Sequence, residues 1–220
     1  MRQFEAIFLD NDGILVDTEK FYASACDEIS RDLFGLPFPL PKYQEYGYTK
    51  GIGIRGWLAE QGIHREKIEE FRKIRDRRYE EKLSQKITPL PGVVDFLKTL
   101  KSREILTAAV TAAPLRHFLQ IHNQTGLLSY FKFWIVNEDV AKSKPSPEGY
   151  LLAAEKAGVN PKNCLVIEDS PRGIKAGKDA GMTVYTVPTK QTENLDLSLA
   201  DKKFAKLTDL KRFLLENDLI

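Results

Sequence analysis

Short apolar runs, each ending in polar or turn-forming residues, recur along the chain. They are residues 4–9, 104–110, 133–136, 164–167 and 183–187. Runs of this length, rich in Ile and Val, are typical of strands that a parallel sheet buries on both faces. Helical patterns lie between them, at 93–100, 115–121, 147–157 and 172–180. Strands that alternate with helices predict an α/β fold built on a doubly wound parallel sheet.

The segment between the first two apolar runs breaks this alternation. Its helical patterns cover residues 18–34, 54–61 and 66–84, and a Pro-rich turn region lies at 33–41. Leu90-Pro91-Gly92 is a natural point of return to the α/β part of the chain. We therefore predict an α/β core of residues 1–16 and 90–220, with an all-helical domain of residues 17–89 inserted after the first strand.

The composition excludes several classes of protein. The 33 basic and 31 acidic residues nearly cancel, so no overall field attracts nucleic acid. The sequence lacks an apolar stretch of about 18 residues and the features of a signal peptide, so we expect no membrane partner. Cys26 and Cys164 are too few for a disulfide framework, which favours buried thiols and a cytoplasmic location. The charged run at 72–78 indicates a solvated helix face.

Chemically reactive side chains follow four of the predicted strands. They are Asp10 with Asp12, Thr111, Asn137 shortly before Lys144, and Glu168 with Asp169. The carboxyl ends of parallel strands meet at one edge of the sheet, where ligands bind. Carboxylates suit Mg²⁺, and a hydroxyl and a lysine suit the oxygens of a phosphoryl group. The pattern predicts phosphoryl transfer, with Asp10 attacking phosphorus and Asp12 acting as general acid and then base.

These motifs resemble those of the haloacid dehalogenase-like hydrolase superfamily, and in particular its β-phosphoglucomutase-like branch with a helical cap. Residues 8–19, Phe-Leu-Asp-Asn-Asp-Gly-Ile-Leu-Val-Asp-Thr-Glu, match the first motif of that branch. Val110-Thr111 matches the second motif, residues 144–147 match the third and residues 166–174 match the fourth. The resemblance covers nearly the whole chain in four ordered motifs.

The resemblance implies a role for each matched residue. Asp10 would be both nucleophile and metal ligand, and Asp12 would be the acid and base whose backbone carbonyl also binds the metal. Glu168 and Asp169 would complete the Mg²⁺ site. Thr111 and Lys144 would hold the transferring phosphoryl group. In the cap, Arg55 and Arg75 are candidate substrate-binding residues, although for Arg75 a place on a solvated helix face is the alternative.

We predict a monomeric, Mg²⁺-dependent phosphatase that acts on a small phosphorylated metabolite, such as a sugar phosphate. The second aspartate of the first motif, Asp12, favours phosphoryl transfer over dehalogenation. Mutases that resemble this chain carry a histidine four residues after the threonine of the first motif, whereas here Tyr22 follows Thr18. This difference favours hydrolysis. A sugar-phosphate mutase and a catalytically silent binding protein of the same fold are the alternatives.

Overall fold

The computed structural model describes residues 2–220. The chain forms two compact units. The first comprises the residues up to Asp17 together with Thr88–Ile220, and the second, called the helical unit below, is Thr18–Ile87. Boundaries at residues 16 and 90 were expected from the sequence.

A six-stranded sheet forms the centre of the first unit, counted over residues 2–220. Its strands are β1 (Ala6–Leu9), β2 (Leu106–Val110), β3 (Phe133–Ile135), β4 (Cys164–Glu168), β5 (Thr183–Thr186) and β6 (Lys202–Lys203). The spatial order is β3-β2-β1-β4-β5-β6, and each neighbouring pair is parallel. The predicted parallel α/β sheet is confirmed. β6 was not predicted, because two exposed lysines at a sheet edge show no apolar pattern.

The helical unit contains four α-helices and no strand within its described residues. They are α1 (Glu19–Phe34), α2 (Leu40–Tyr43), α3 (Gly53–Glu60) and α4 (Arg65–Leu83), and a π-helical segment, Gln44–Thr49, follows α2. The predicted helices correspond to α1, α3 and α4, whereas α2 and the π-helical segment were not predicted. Trp57 and Phe38 pack at the centre of the unit with ring centroids 4.8 Å apart. The unit therefore has its own hydrophobic core.

The helices of the first unit cover both faces of the sheet. They are α5 (Val93–Ser102), α6 (Leu115–Thr125), α7 (Glu148–Ala157), α8 (Pro171–Asp179) and α9 (Leu207–Glu216). Successive residues of β1 point to opposite faces. Ile7 belongs to one apolar core with α5, α6 and α9, while Phe8 belongs to a second core with α7 and α8. Two covered faces explain why β1 is apolar at every position.

The register of the sheet aligns the carboxyl ends of its central strands. Leu9 in β1 lies beside Ala109 in β2 and Ile167 in β4. The next residue, Asp10, donates its backbone N–H to the carbonyl oxygen of Ile167 at 3.0 Å. The residues that follow β1, β2 and β4 are thereby collected at one edge of the sheet.

None of the described helices is long and apolar enough to cross a bilayer. Cys26 and Cys164 are buried free thiols, as expected. Burial raises the pKa of the Cys164 thiol to about 12, which makes that group a poor nucleophile near neutral pH.

Candidate active site

The loop after β1 makes a tight turn that carries Asp10 and Asp12. Gly13 has φ of +84°, a conformation that side chains disfavour, and it donates its N–H to the carbonyl of Val16 at 2.8 Å. A Cβ atom at position 13 would overlap the carboxylate of Asp169. The glycine therefore allows this loop to approach the end of β4 closely.

Lys144 lies at the centre of the charged groups. Its ammonium donates to Asp10 Oδ1 at 2.6 Å, to Glu168 Oε1 at 2.7 Å and to the backbone carbonyl of Val110 at 2.9 Å. The lysine side chain is 13% exposed and that of Glu168 is fully buried. All three ammonium hydrogens have acceptors, so the position of the charge is fixed. This geometry brings together the predicted nucleophile, the predicted phosphoryl-binding lysine and one predicted metal ligand.

Glu168 is held on both of its oxygens. Oε1 accepts from Lys144 and from the hydroxyl of the buried Tyr150, the latter at 2.9 Å. Oε2 accepts from the backbone N–H groups of Asp169 and Ser170, and from the Ser170 hydroxyl at 3.1 Å. Because both oxygens have several donors, the position of this buried carboxylate is fixed. Glu168 is therefore held in contact with Lys144.

The pKa of Asp10 is raised to about 7. Burial is the main cause, Lys144 opposes it, and the nearby carboxylates of Glu168 and Asp12 add to it. Lys144 has the opposite balance, because burial disfavours its charge while Asp10 and Glu168 raise its pKa well above the usual value. The lysine therefore stays protonated near neutral pH, while Asp10 is poised between its two states in the absence of a further cation.

Asp10, Glu168 and Asp169 form an acidic cluster. One oxygen from each lies within 4.8 Å of the others. Asp169 is 2% exposed, and its Oδ2 accepts from the hydroxyl of the buried Thr192 at 3.3 Å. A set of carboxylate oxygens at this spacing is suited to a hard divalent cation.

Thr111 and Asp12 lie beside this cluster. Thr111 directly follows β2, is 7% exposed, and accepts the N–H of Ala113 on its hydroxyl at 3.0 Å. It lines a small cavity together with Lys144 and Tyr150. The carboxylate of Asp12 accepts from the side-chain amide of Asn11 at 3.1 Å.

The two candidate arginines of the helical unit have different surroundings. Arg55 is exposed on α3. Arg75 is only 5% exposed, donates to the hydroxyl of Tyr22 and to Asp76, and lies with its guanidinium carbon 4.6 Å from the Tyr22 ring centroid. The expectation of a solvated face is wrong for Arg75. It belongs to the buried side of α4 with Phe71 and Tyr79, at a helical spacing of four. Substrate binding by either arginine stays a prediction.

Several residues of the site were not recognised in the sequence: Asn11, His122, Tyr150 and Thr192. Asn11 is flanked by two motif aspartates, which was a signal that could have been used. Tyr150 and His122 lie on the inward faces of α7 and α6. Their apolar periodicity predicts burial, but it does not reveal which polar group each side chain meets.

The model of the haloacid dehalogenase-like hydrolases matches residues 4–181 of the chain. The chain belongs to this family. A phosphorylated carbohydrates phosphatase of Thermotoga maritima is 32% identical over 81% of this haloacid dehalogenase-like hydrolase and 82% of the relative. Hexitol phosphatase B of Escherichia coli is 30% identical over 95% of both chains.

Solved structures share the fold of this chain. The β-phosphoglucomutase of Clostridium difficile superposes with a TM-score of 0.83 and is 24% identical, over 98% of this hydrolase and 97% of that chain. Identity at this level supports a common fold and not a common reaction.

Proposed function

We propose that this haloacid dehalogenase-like hydrolase is a Mg²⁺-dependent phosphatase that hydrolyses a small phosphorylated metabolite of the sugar-phosphate type through an aspartyl-phosphate on Asp10. The observation that carries the proposal is the position of Asp10. It is bonded to Lys144 at 2.6 Å and lies within an all-oxygen acidic cluster. The phosphatase relatives that act on phosphorylated carbohydrates and hexitol phosphates support the substrate class.

The donor set fits Mg²⁺, because it consists of carboxylate oxygens without a sulfur or imidazole ligand. Asp10, Glu168 and Asp169 would hold the ion together with the backbone carbonyl of Asp12. When bound, it would neutralise charge on the phosphoryl oxygens.

Four residues of the chain, Asp10, Asp12, Thr111 and Lys144, take part in the two chemical steps. A carboxylate oxygen of Asp10 attacks phosphorus, and the bond from phosphorus to the ester oxygen breaks. Asp12 protonates that oxygen, so the alcohol leaves, and the ionised Asp12 then removes a proton from the water that attacks the aspartyl-phosphate. The second attack releases inorganic phosphate and restores both aspartates. The Thr111 hydroxyl donates to the phosphoryl oxygens, and the fixed positive charge of Lys144 stabilises the negative charge on them in both steps.

Hydrolysis is favoured over mutase chemistry by Tyr22, which stands where the related mutases have a histidine. Its hydroxyl accepts from Arg75, and its ring packs on Tyr79 at a centroid distance of 5.3 Å. Burial is the main cause of a raised pKa for this phenol, so it stays protonated near neutral pH. A side chain held in this way is a poor proton donor and acceptor for gating the phosphoenzyme.

We further propose that Arg55 contributes to substrate binding through its exposed guanidinium, which can bind a second phosphate or a carboxylate on two oxygens. We expect the protein to act as a monomer in the cytoplasm, with neither nucleic acid nor a membrane as partner.

The test is phosphate release from p-nitrophenyl phosphate and a panel of sugar and polyol phosphates, with Mg²⁺ and with EDTA. We expect turnover by the wild type, loss of turnover in Asp10→Asn, and near-normal turnover in the control Asp179→Asn, an exposed aspartate on α8. A wild type inert on the whole panel would refute the proposal. Interconversion of glucose 1- and 6-phosphates with a bisphosphate activator, at a rate above phosphate release, would establish the mutase alternative instead.

A further inference from the structure

Asn11 is completely buried between the two catalytic aspartates. Its side-chain nitrogen lies 3.1 Å from Asp12 Oδ2, and its side-chain oxygen lies 2.6 Å from Nε2 of His122 on α6. The other ring nitrogen of His122 lies 3.0 Å from the hydroxyl of Thr125. A continuous chain of hydrogen bonds therefore leads from α6 to the carboxylate of Asp12.

The chemistry of the groups fixes the direction of these bonds. Oδ2 of Asp12 accepts whether the carboxyl is ionised or carries its proton on the other oxygen, so the NH₂ group of Asn11 must face Asp12. The carbonyl oxygen of Asn11 must then face His122, which has to donate from Nε2. Nδ1 of a neutral imidazole accepts, so the Thr125 hydroxyl donates to it at 3.0 Å in preference to the carbonyl of His122, which lies 3.4 Å away. The neutral Nε2–H tautomer of His122 is the form that satisfies every partner.

The surroundings of His122 hold the ring in place and keep it neutral. The side chain is fully buried, and its ring packs on Phe118 at a centroid distance of 4.5 Å and on Phe131 at 6.1 Å. Burial lowers the pKa of His122 to about 4, so the imidazole is uncharged near neutral pH.

We propose that His122 is a positioning residue, which acts through Asn11 to hold the Asp12 carboxylate in the orientation needed to protonate the leaving group. This inference rests on the proposed phosphatase function. Asp12 is the residue whose exact placement limits proton transfer, because a general acid must lie within hydrogen-bond reach of the leaving oxygen.

The test compares His122→Phe with the wild type on two substrates that differ in their need for an acid. The leaving group of an alkyl phosphate needs a proton, whereas p-nitrophenolate leaves readily without one. We expect kcat/KM to fall about tenfold to a hundredfold for the best alkyl phosphate of the panel. For p-nitrophenyl phosphate we expect a fall of less than about threefold, since positioning of the acid matters little there.

Three further variants separate positioning from a general loss of structure. His122→Gln retains an N–H donor on a side chain of similar reach, and we expect it to recover most of the activity. Asn11→Leu and the double variant with His122→Phe should both match the single His122→Phe, because residues that act in one chain are not additive. His117→Phe is the control, as this buried histidine of α6 bonds Arg116 instead.

Equal losses on both substrates, or no loss on either, would overturn the positioning role. A wild type inert on every phosphate ester would overturn the phosphatase function, and this inference with it. If His122→Phe does not fold, the ¹⁵N chemical shifts of the histidine rings in the wild type provide a separate check. We expect the Nε2–H tautomer for His122 at neutral pH, and an Nδ1–H tautomer would contradict the inferred chain of hydrogen bonds.

Discussion

Replacement of Lys144 by methionine removes the central charge of the site while retaining a side chain of similar length. The ammonium lies 2.6 Å from Asp10 Oδ1 and 2.7 Å from Glu168 Oε1. Loss of one partner of a buried ion pair typically costs about 3–5 kcal/mol, since the remaining charge is left uncompensated. Asp10 already has a pKa of about 7 with the lysine present, so it can take up a proton in the variant. We therefore expect a loss of about 3 kcal/mol in the free energy of unfolding.

The same change makes the loss of stability depend on pH. Lys144 lowers the pKa of Asp10, so its removal raises that pKa above about 7 in the folded state, further from the value of 3.8 of a free aspartate. The folded variant therefore binds a proton more tightly than the folded wild type does. Below about pH 7 Asp10 is protonated in both folded proteins, so the difference between their free energies of unfolding is smallest there. As the pH increases from about 7 to the pKa of the variant, the loss of stability grows by about 1.4 kcal/mol per pH unit, and it is constant above that pKa.

Urea unfolding of the metal-free proteins at about pH 6 and about pH 8 measures both effects. The control is Lys178→Met, whose ammonium lies 2.7 Å from Asp201 with the side chains 33% and 39% exposed. Exposed pairs contribute about 0–1 kcal/mol, so this control should lose little. A loss in Lys144→Met that equals the control, or one that is the same at both pH values, would refute this account of the charged cluster.

Three other predictions concern the same groups. Gly13→Ala should abolish most phosphatase activity in the ester assay, because the added Cβ would overlap the Asp169 carboxylate and the backbone has a φ of +84°. Activity near that of the wild type would contradict the close approach of this loop to Asp169. Tyr150→Phe should lower the free energy of unfolding by about 1.5–3 kcal/mol, because it removes a buried hydrogen bond to the carboxylate of Glu168. A loss below about 0.5 kcal/mol, measured by urea unfolding, would show that this bond is weak. Mg²⁺ affinity, measured by calorimetry, should fall about tenfold per unit below pH 7 and level off above it, since Asp10 must lose a proton to bind; a flat profile would contradict its raised pKa.

The positions of the strands and of their polar ends could be predicted because both are local in sequence. Burial on two faces makes β1 and β4 continuous apolar runs, and a parallel sheet aligns their carboxyl ends. Asp10 and Glu168 therefore had to lie near one another once the fold class was known. The edge strand β6 has no such signal, because it consists of two exposed lysines.

The remaining part of the site depends on how helices pack, which the sequence does not state directly. His122 lies 111 positions from Asn11, and their contact requires the rotation of α6 about its axis to be known. Arg75 was a candidate substrate-binding residue, and its charged neighbours made a solvated helix face the alternative. Its spacing of four from Phe71 and Tyr79 indicates the buried face of α4 instead, and the hydroxyl of Tyr22 accepts its hydrogen bond there.

The central claim is that Asp10 becomes phosphorylated, and trapping of the acyl phosphate tests it most directly. The protein is mixed with Mg²⁺ and its best substrate, quenched in acid during turnover and reduced with borohydride, which converts an aspartyl-phosphate to homoserine. Peptide mass spectrometry then locates the modified residue. We expect homoserine at position 10, and none when substrate is omitted or when Asp10→Asn is used. Homoserine at another aspartate, or its absence during measured turnover, would contradict the assignment of Asp10 as the nucleophile.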